Sequence, residues 1–402
     1  MESLKELYRI GHGPSSSHTL GPSYFAKCVK DKYPSNSYEV TLYGSLSLTG
    51  KGHLTDETFS SILGKENTKI IFSKKTLDYH PNGMEVKVLD NNKVIDDIVA
   101  YSVGGGKIVY DVNKDEKIKD VYKEKNMEEI LAYCSKNNLS FYEYAIQHED
   151  DDFKEYILEV LDTMYASIKR GLSTTGVIPG KLKLQRVAKA MNDNIFDSNQ
   201  PSERWLIAVS SYAYAVAEEN ACGNVIVTAP TCGASGVLPA VLYYCYNDLG
   251  VKKNQLVEAL CVAGIIGNVV KNNATISGAE GGCQAEIGVA CSMAAGAYAY
   301  INSLSNKQIC YASEMGLEHN LGLTCDPIGG YVQIPCIERN GFAALRAIDC
   351  ANYAKQLGPL RENKISFDTI VKVMKETGKD LGSAYKETSL GGLAREYKLD
   401  ED

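Results

Sequence analysis

Two segments, Leu256–Val270 and Cys283–Leu304, are apolar nearly all round and rich in alanine and glycine. A helix without a polar face belongs inside a core, and its small residues let other helices pack close around it. A chain with two such segments needs a large helical body. From Asn126 onward helical spacing dominates, over Met127–Asn137, Ser140–His148, Asp152–Arg170, Ser202–Glu219, Leu238–Tyr246, Asp368–Asp380 and Ser383–Leu393. The first part of the chain reads differently. Met1–Gly11 predicts a short helix and Ser23–Asp31 another. Ser37–Leu48, Thr68–Phe72, Met84–Leu89 and Lys93–Tyr101 read as strands. Gly44–His53 reads as a loop, followed by a helix from about Asp56. Gly104–Lys107 fails the phosphate-loop template and reads as a turn before Ile108–Val112. The expected fold class is therefore α+β: a small N-terminal α/β domain over residues 1–115, and a larger all-α domain over 151–402. Residues 116–150 would connect them, and the charge-dense Asn113–Lys125 reads as a solvated linker.

Charge and cysteine usage narrow the partners. A net charge of −8 argues against nucleic acid or an anionic membrane as the main partner. No apolar run is long enough to span a bilayer, and Met1–Tyr8 does not read as a signal. Twelve scattered cysteines fit a reducing cytoplasm rather than a disulfide framework.

Three cysteines stand in unusual settings, spaced C-x41-C-x10-C. Cys283 follows Gly281-Gly282 at an expected helix N-terminus, where the dipole favours thiolate. Cys325 precedes Asp326-Pro327, and Cys336 lies between Pro335 and the pair Glu338-Arg339. Three thiolates can hold three irons of a [4Fe–4S] cluster. Spacing alone leaves two other readings open, buried apolar cysteines and structural zinc. Cys291, Cys28, Cys134, Cys222, Cys232, Cys245, Cys261, Cys310 and Cys350 read as core. Near the N-terminus, the hydroxyl- and glycine-rich run Gly13–Pro22 precedes a helix and can cradle an anion such as a carboxylate. Lys51 and His53 can meet an acidic substrate, and the small residues of Thr228–Gly236 permit close backbone approach to a ligand.

Ordered motifs run the length of the chain: GPSSSHT (Gly13–Thr19), GSLSLTGKGH (Gly44–His53), TAPT-x-GA (Thr228–Ala234), SGAE (Ser277–Glu280), GCQAE (Gly282–Glu286), TCDP (Thr324–Pro327), PCIERN (Pro335–Asn340) and ETS-x-GGLA (Glu387–Ala394). In these motifs the chain resembles the bacterial iron–sulfur L-serine dehydratases (L-serine ammonia-lyases), in a single-chain form with beta and alpha domains fused. The resemblance implies an oxygen-sensitive [4Fe–4S] cluster on Cys283, Cys325 and Cys336. It implies dehydration of L-serine to aminoacrylate, and hence pyruvate and ammonia, with an open iron as Lewis acid. His18 is then the expected proton-transfer residue, since a neutral imidazole works as a base near neutral pH. Lys51 and Glu280 are further catalytic candidates, with Glu280 and Glu286 as buried acids. Ser15, Ser16, Ser17, Thr19, Thr228 and Arg339 are the expected substrate contacts, and His319 a group orienting the site. A homodimer is expected.

The family's C-terminal cysteine has no counterpart in Arg395–Asp402, so the resemblance implies an open or water-bound fourth iron here. Other readings are a related hydro-lyase or desulfidase acting on threonine, cysteine or a hydroxy acid, and a non-catalytic iron–sulfur sensor. The intact Ser15–Thr19 segment argues against the sensor.

Overall fold

The computed structural model describes residues 1–110, 120–195, 197, 200–397 and 399. The expected linker Asn113–Lys125 and the end of the tail lie partly outside them. The chain opens on a 3-10 turn, Leu4–Glu6, and a short strand β1, Ile10–His12. The expected helix over Met1–Gly11 is therefore replaced by a turn and a strand. The reason is tertiary: β1 pairs antiparallel with Val225–Val227, a β-branched run far along the chain, matching Ile10 to Val227 and His12 to Val225. Met1, Leu4, Leu7 and Tyr8 are buried in the helical body. Gly264 and Gly267 of a central helix make room for them, since a β-carbon there would stand 2.8 Å from Leu4 and 2.9 Å from Leu7 respectively.

The small domain follows: α1 (Gly21–Lys32), β2 (Ser37–Leu42), α2 (Gly44–Thr49), α3 (Thr55–Leu63), β3 (Thr68–Phe72), β4 (Gly83–Asp90), β5 (Lys93–Ser102) and β6 (Ile108–Val109). Its sheet has the order β3-β2-β4-β5-β6. β2 runs parallel to β3, in register Tyr38↔Thr68, and the other pairs are antiparallel. Alternation along β2 and β4 turns Tyr38, Val40, Met84, Val86 and Val88 to one face, where Phe25, Val29, Phe59 and Leu63 of α1 and α3 bury them. The expected loop after β2 contains a helix, α2. Its serines and threonines mask a helical pattern in which Leu46 is buried and Leu48 exposed.

The helical body contains α4 (Met127–Asn137), α5 (Phe141–His148), α6 (Phe153–Ser173), α7 (Ala188–Asp193), α8 (Pro201–Ala221), β7 (Val225–Val227), α9 (Val237–Asn247), α10 (Lys253–Asn273), α11 (Gly278–Gly281), α12 (Ile287–Ile301), α13 (Asn306–Glu318), α14 (Cys336–Leu357), α15 (Phe367–Asp380) and α16 (Gly392–Glu396). Helices α10 and α12, the two apolar segments, lie at its centre, with α12 packed against α9, α10, α13 and α14. Among the described residues no helix is long and apolar enough to cross a membrane. Cys28 is exposed and Cys222 half-buried, which corrects the core expectation for both; the other seven cysteines expected in the core are buried.

Candidate active site between the small domain and the helical body

The cysteine trio is delivered by three separate segments. Cys283 sits in a 3-10 turn, Cys283–Ala285, directly after Gly282, while α12 begins only at Ile287. Cys325 lies in an extended stretch. Its N–H donates to the Tyr385 carbonyl at 2.8 Å, and its own carbonyl accepts from the Glu387 N–H at 2.7 Å. Cys336 is the first residue of α14, where the helix dipole favours negative charge.

All three line one small buried cavity, together with Ser15, His53, Glu286 and Glu387. Burial pushes all three thiols up, and each is raised further by an acidic neighbour or a fellow thiol. Arg339, one turn into α14, donates to the Thr324 carbonyl at 2.7 Å. Burial works against its charge, but Cys283 first, then Cys336 and Cys325, hold it firmly protonated. Gly278 keeps the space clear. A β-carbon there would stand 2.7 Å from Glu286 Oε2 and 3.3 Å from Cys325 Sγ. Three convergent sulfurs beside a guanidinium form a donor set that fits iron–sulfur ligation.

The small domain supplies the opposite wall. Ser16–Leu20 forms a π-helical turn capped by Ser15, whose Oγ accepts from the His18 N–H at 3.2 Å. Ser17 Oγ lies 2.9 Å from His18 Nδ1, and Ser45 Oγ 3.1 Å from His18 Nε2. Ser45 donates its only proton to the Glu387 carbonyl at 2.7 Å, so toward His18 it accepts. Nε2 of His18 therefore carries the proton, and both its ring nitrogens are occupied.

His53 differs. Thr49 donates its hydroxyl to the Ser45 carbonyl at 3.0 Å and so must accept from His53 Nδ1, 3.1 Å away. That fixes the tautomer with a bare Nε2. Burial lowers the His53 imidazole to about 4, and lowers His18 well below the usual histidine value, with His53 adding to the effect. The two rings lie 4.4 Å apart between centroids.

Two carboxyls complete the cavity. Burial raises Glu286, while Thr231 and Arg339 pull the other way. Burial, then neighbouring Glu286, raises Glu387 well above the usual carboxylate range. Glu387 Oε1 lies 3.4 Å from His18 Nδ1 and 3.9 Å from His53 Nε2. One oxygen of Glu387 and one ring nitrogen from each histidine form a buried cluster within 4.8 Å of one another.

The remaining expected residues are dispersed. Thr19 donates to the His53 carbonyl at 2.7 Å, and Ser16 Oγ accepts from the Cys232 N–H at 2.6 Å, so both brace the loop. Thr228 is spent on the chain start: it donates to the Leu7 carbonyl at 2.7 Å and accepts from the Arg9 N–H at 2.9 Å, outside the cavity. Lys51 is exposed, with Nζ 5.5 Å from the Phe72 ring centroid. Glu280 is not a buried acid: its side chain is 44 % exposed and 3.6 Å from His80. The reason is its place on the outer side of the short α11. His319 is exposed beside Glu318 and does not orient the trio. Glu387 was visible in the sequence only as the first letter of a tail motif. No local signal tells that its segment folds back alongside Cys325.

The sequence matches known proteins along nearly its whole length. The family model "Serine dehydratase alpha chain" matches residues 105–394, and "Serine dehydratase beta chain" matches 3–64 and 60–113. The chain belongs to the serine dehydratase family, and is an enzyme of the lyase class. It is 38 % identical to L-serine dehydratase 1 of Escherichia coli K12, over the full length of both chains. It is 39 % identical to the L-serine dehydratase of Haemophilus influenzae, over 98 % of this chain and 99 % of that one. The Streptomyces coelicolor L-serine dehydratase is 39 % identical over 98 % of each.

Proposed function

We propose that this enzyme converts L-serine to pyruvate and ammonia, with a [4Fe–4S] cluster held by Cys283, Cys325 and Cys336. The observation that carries the reading is the meeting of three thiols, those of Cys283 and Cys325 buried and that of Cys336 half-buried, with one bare imidazole nitrogen in a single cavity. When bound, the cluster supplies a Lewis-acidic iron, which makes hydroxide a feasible leaving group.

The chain's residues do the rest. Ser15, the loop hydroxyl that lines the cavity, meets the substrate carboxylate with its O–H donor, while its N–H is spent on Thr19 Oγ1 at 3.2 Å. His53 Nε2 takes the Cα proton. The proton assigned to His18 from sequence moves to His53 in this reading, because His18 presents no free nitrogen to the cavity. His18 instead holds Ser17 and Ser45 in register. Loss of the Cα proton and the β-hydroxyl gives 2-aminoacrylate and water. Tautomerisation to the imine and hydrolysis then release pyruvate and ammonium. Arg339 offsets negative charge on the three sulfurs.

The test is Cys336→Ser in protein purified without oxygen. Iron and sulfide content should fall together with pyruvate formation from L-serine. Full activity at normal iron content would remove the assignment.

A further inference from the structure

We propose that Glu387 is the acceptor for the substrate's ammonium group, and so the residue that makes this site select an α-amino acid over an α-hydroxy acid of the same shape. This rests on the function proposed above, and supplies the contact that it lacks. A zwitterionic serine presents four features to the cavity: a carboxylate, an ammonium, a Cα–H and a β-hydroxyl. The hydroxyl loop, the His53 nitrogen and the thiol side account for three of them. The ammonium needs an acceptor, and a carboxylate is the strongest one a protein offers.

Two carboxyls line the cavity, Glu286 and Glu387. Glu286 lies near the Arg339 guanidinium, which favours its charged form. Among the described residues Glu387 has no such cation. It is 5 % exposed, and its Oε2 has no hydrogen-bond partner. The titratable groups facing it are His18, His53, Glu286 and the Cys325 and Cys336 thiols. A buried acceptor without a partner is costly unless a ligand satisfies it.

Position supports the same assignment. The ammonium nitrogen is one bond from Cα, so its acceptor must stand close to the base that takes the Cα proton. Glu387 Oε1 is 3.9 Å from His53 Nε2. The Glu387 backbone is also held from both sides. The Glu387 N–H donates to the Cys325 carbonyl at 2.7 Å, and its carbonyl accepts from Ser45 Oγ at 2.7 Å. Its φ of 57° lies in the left-handed region, which glycine would occupy with less strain. The tail segment thus ties the cysteine loop to the small domain and places a carboxyl where the two meet.

The experiment uses the holoenzyme, purified without oxygen, and two matched pairs of probes. L-Serine and glycerate differ in ammonium against hydroxyl, and loss of water from C3 of either leads to pyruvate. L-Alanine and L-lactate make the same comparison as non-reacting ligands, read by direct binding. The wild type should favour the ammonium member of each pair. Glu387→Gln should raise KM for L-serine about 10- to 100-fold, the usual worth of a charge-assisted hydrogen bond, and erase the preference for L-alanine over L-lactate. L-Lactate binding should stay within about threefold. Glu387→Asp, which keeps the charge, should recover part of the preference, and iron content and melting temperature report whether each variant is folded.

An unchanged L-serine KM and unchanged L-alanine preference in Glu387→Gln would overturn the proposal. So would a wild type that binds L-lactate as well as L-alanine. If the wild type forms no pyruvate from L-serine, yet Glu387→Gln still abolishes the L-alanine preference, the proposed reaction falls and the ammonium site stands.

Discussion

At the scale of single residues, the chemistry of the site is set by where two hydroxyl protons go. Ser45 and Thr49 each spend their only proton on a backbone carbonyl, and each must then accept from a histidine. One imidazole is thereby locked behind the loop, and the other is left with a lone pair toward the cavity. His53→Ala should lower kcat about 100- to 10,000-fold, the usual range for a general base. The pH profile carries the sign of burial. Because burial lowers the His53 imidazole to about 4, it takes up a proton only in strong acid. At saturating L-serine, where the bound ammonium holds Glu387 charged, kcat should therefore show no fall through 6.5 as the pH drops; an acid limb at 6.5 in kcat would count against His53.

A second residue, far from the cavity, tests the same physics as stability. Burial, then Glu318, raises the Glu314 carboxyl from 4.5 to about 8, and its Oε1 has no partner. Between these values the folded state holds a proton that the unfolded chain has lost, so stability falls as pH rises from 4.5 to 8. Glu314→Gln should gain about 1–2 kcal/mol at pH 8, allowing for solvent screening, and almost nothing at pH 4.5. Thermal unfolding at the two pH values checks it.

At the scale of elements, the cysteine settings were legible because glycine and proline fix the backbone around each one. What they fix was less so. The run before α12 reads as the start of a helix, but Gly282 adopts φ +73° and turns the chain before it. A β-carbon there would stand 2.8 Å from the Leu323 carbonyl and 2.7 Å from Leu381. Gly282→Ala should cost about 1–3 kcal/mol, lowering the melting temperature and iron retention together. Normal iron content in a destabilised variant would separate the turn from the site. The long amphipathic and apolar helices were readable from their period. The errors fall on short pieces whose fate is decided from outside. β1 is a strand only because Val225–Val227 lies beside it, and α2 hides in a run of hydroxyl residues. His53 is visible as a residue, but its advantage over His18 depends on hydrogen bonds that no spacing encodes. Glu387 depends on the return path of the tail.

At the scale of the whole molecule, the site exists only where two layers meet. The thiols and both carboxyls come from the helical body, and the histidines and hydroxyls from the small domain. The chain start crosses that division, because Met1–Tyr8 packs inside the helical core and β1 pairs with β7. Leu7→Ala should therefore cost about 2–5 kcal/mol, as a buried leucine does. The loss should appear as unfolding of the helical body, read by far-ultraviolet circular dichroism, and not as loss of the sheet alone. The small domain's core draws on residues from Phe25 to Ile108, whereas Met1, Leu4, Leu7, Tyr8 and Leu20 share a core with residues from Tyr122 onward.

The measurement that bears most directly on this account is pyruvate formation from L-serine by protein purified without oxygen, followed before and after exposure to air. The account predicts activity that air abolishes and that iron, sulfide and a reductant restore, in proportion to iron bound. Turnover of L-serine by iron-free protein, indifferent to air and to Cys336→Ser, would contradict it.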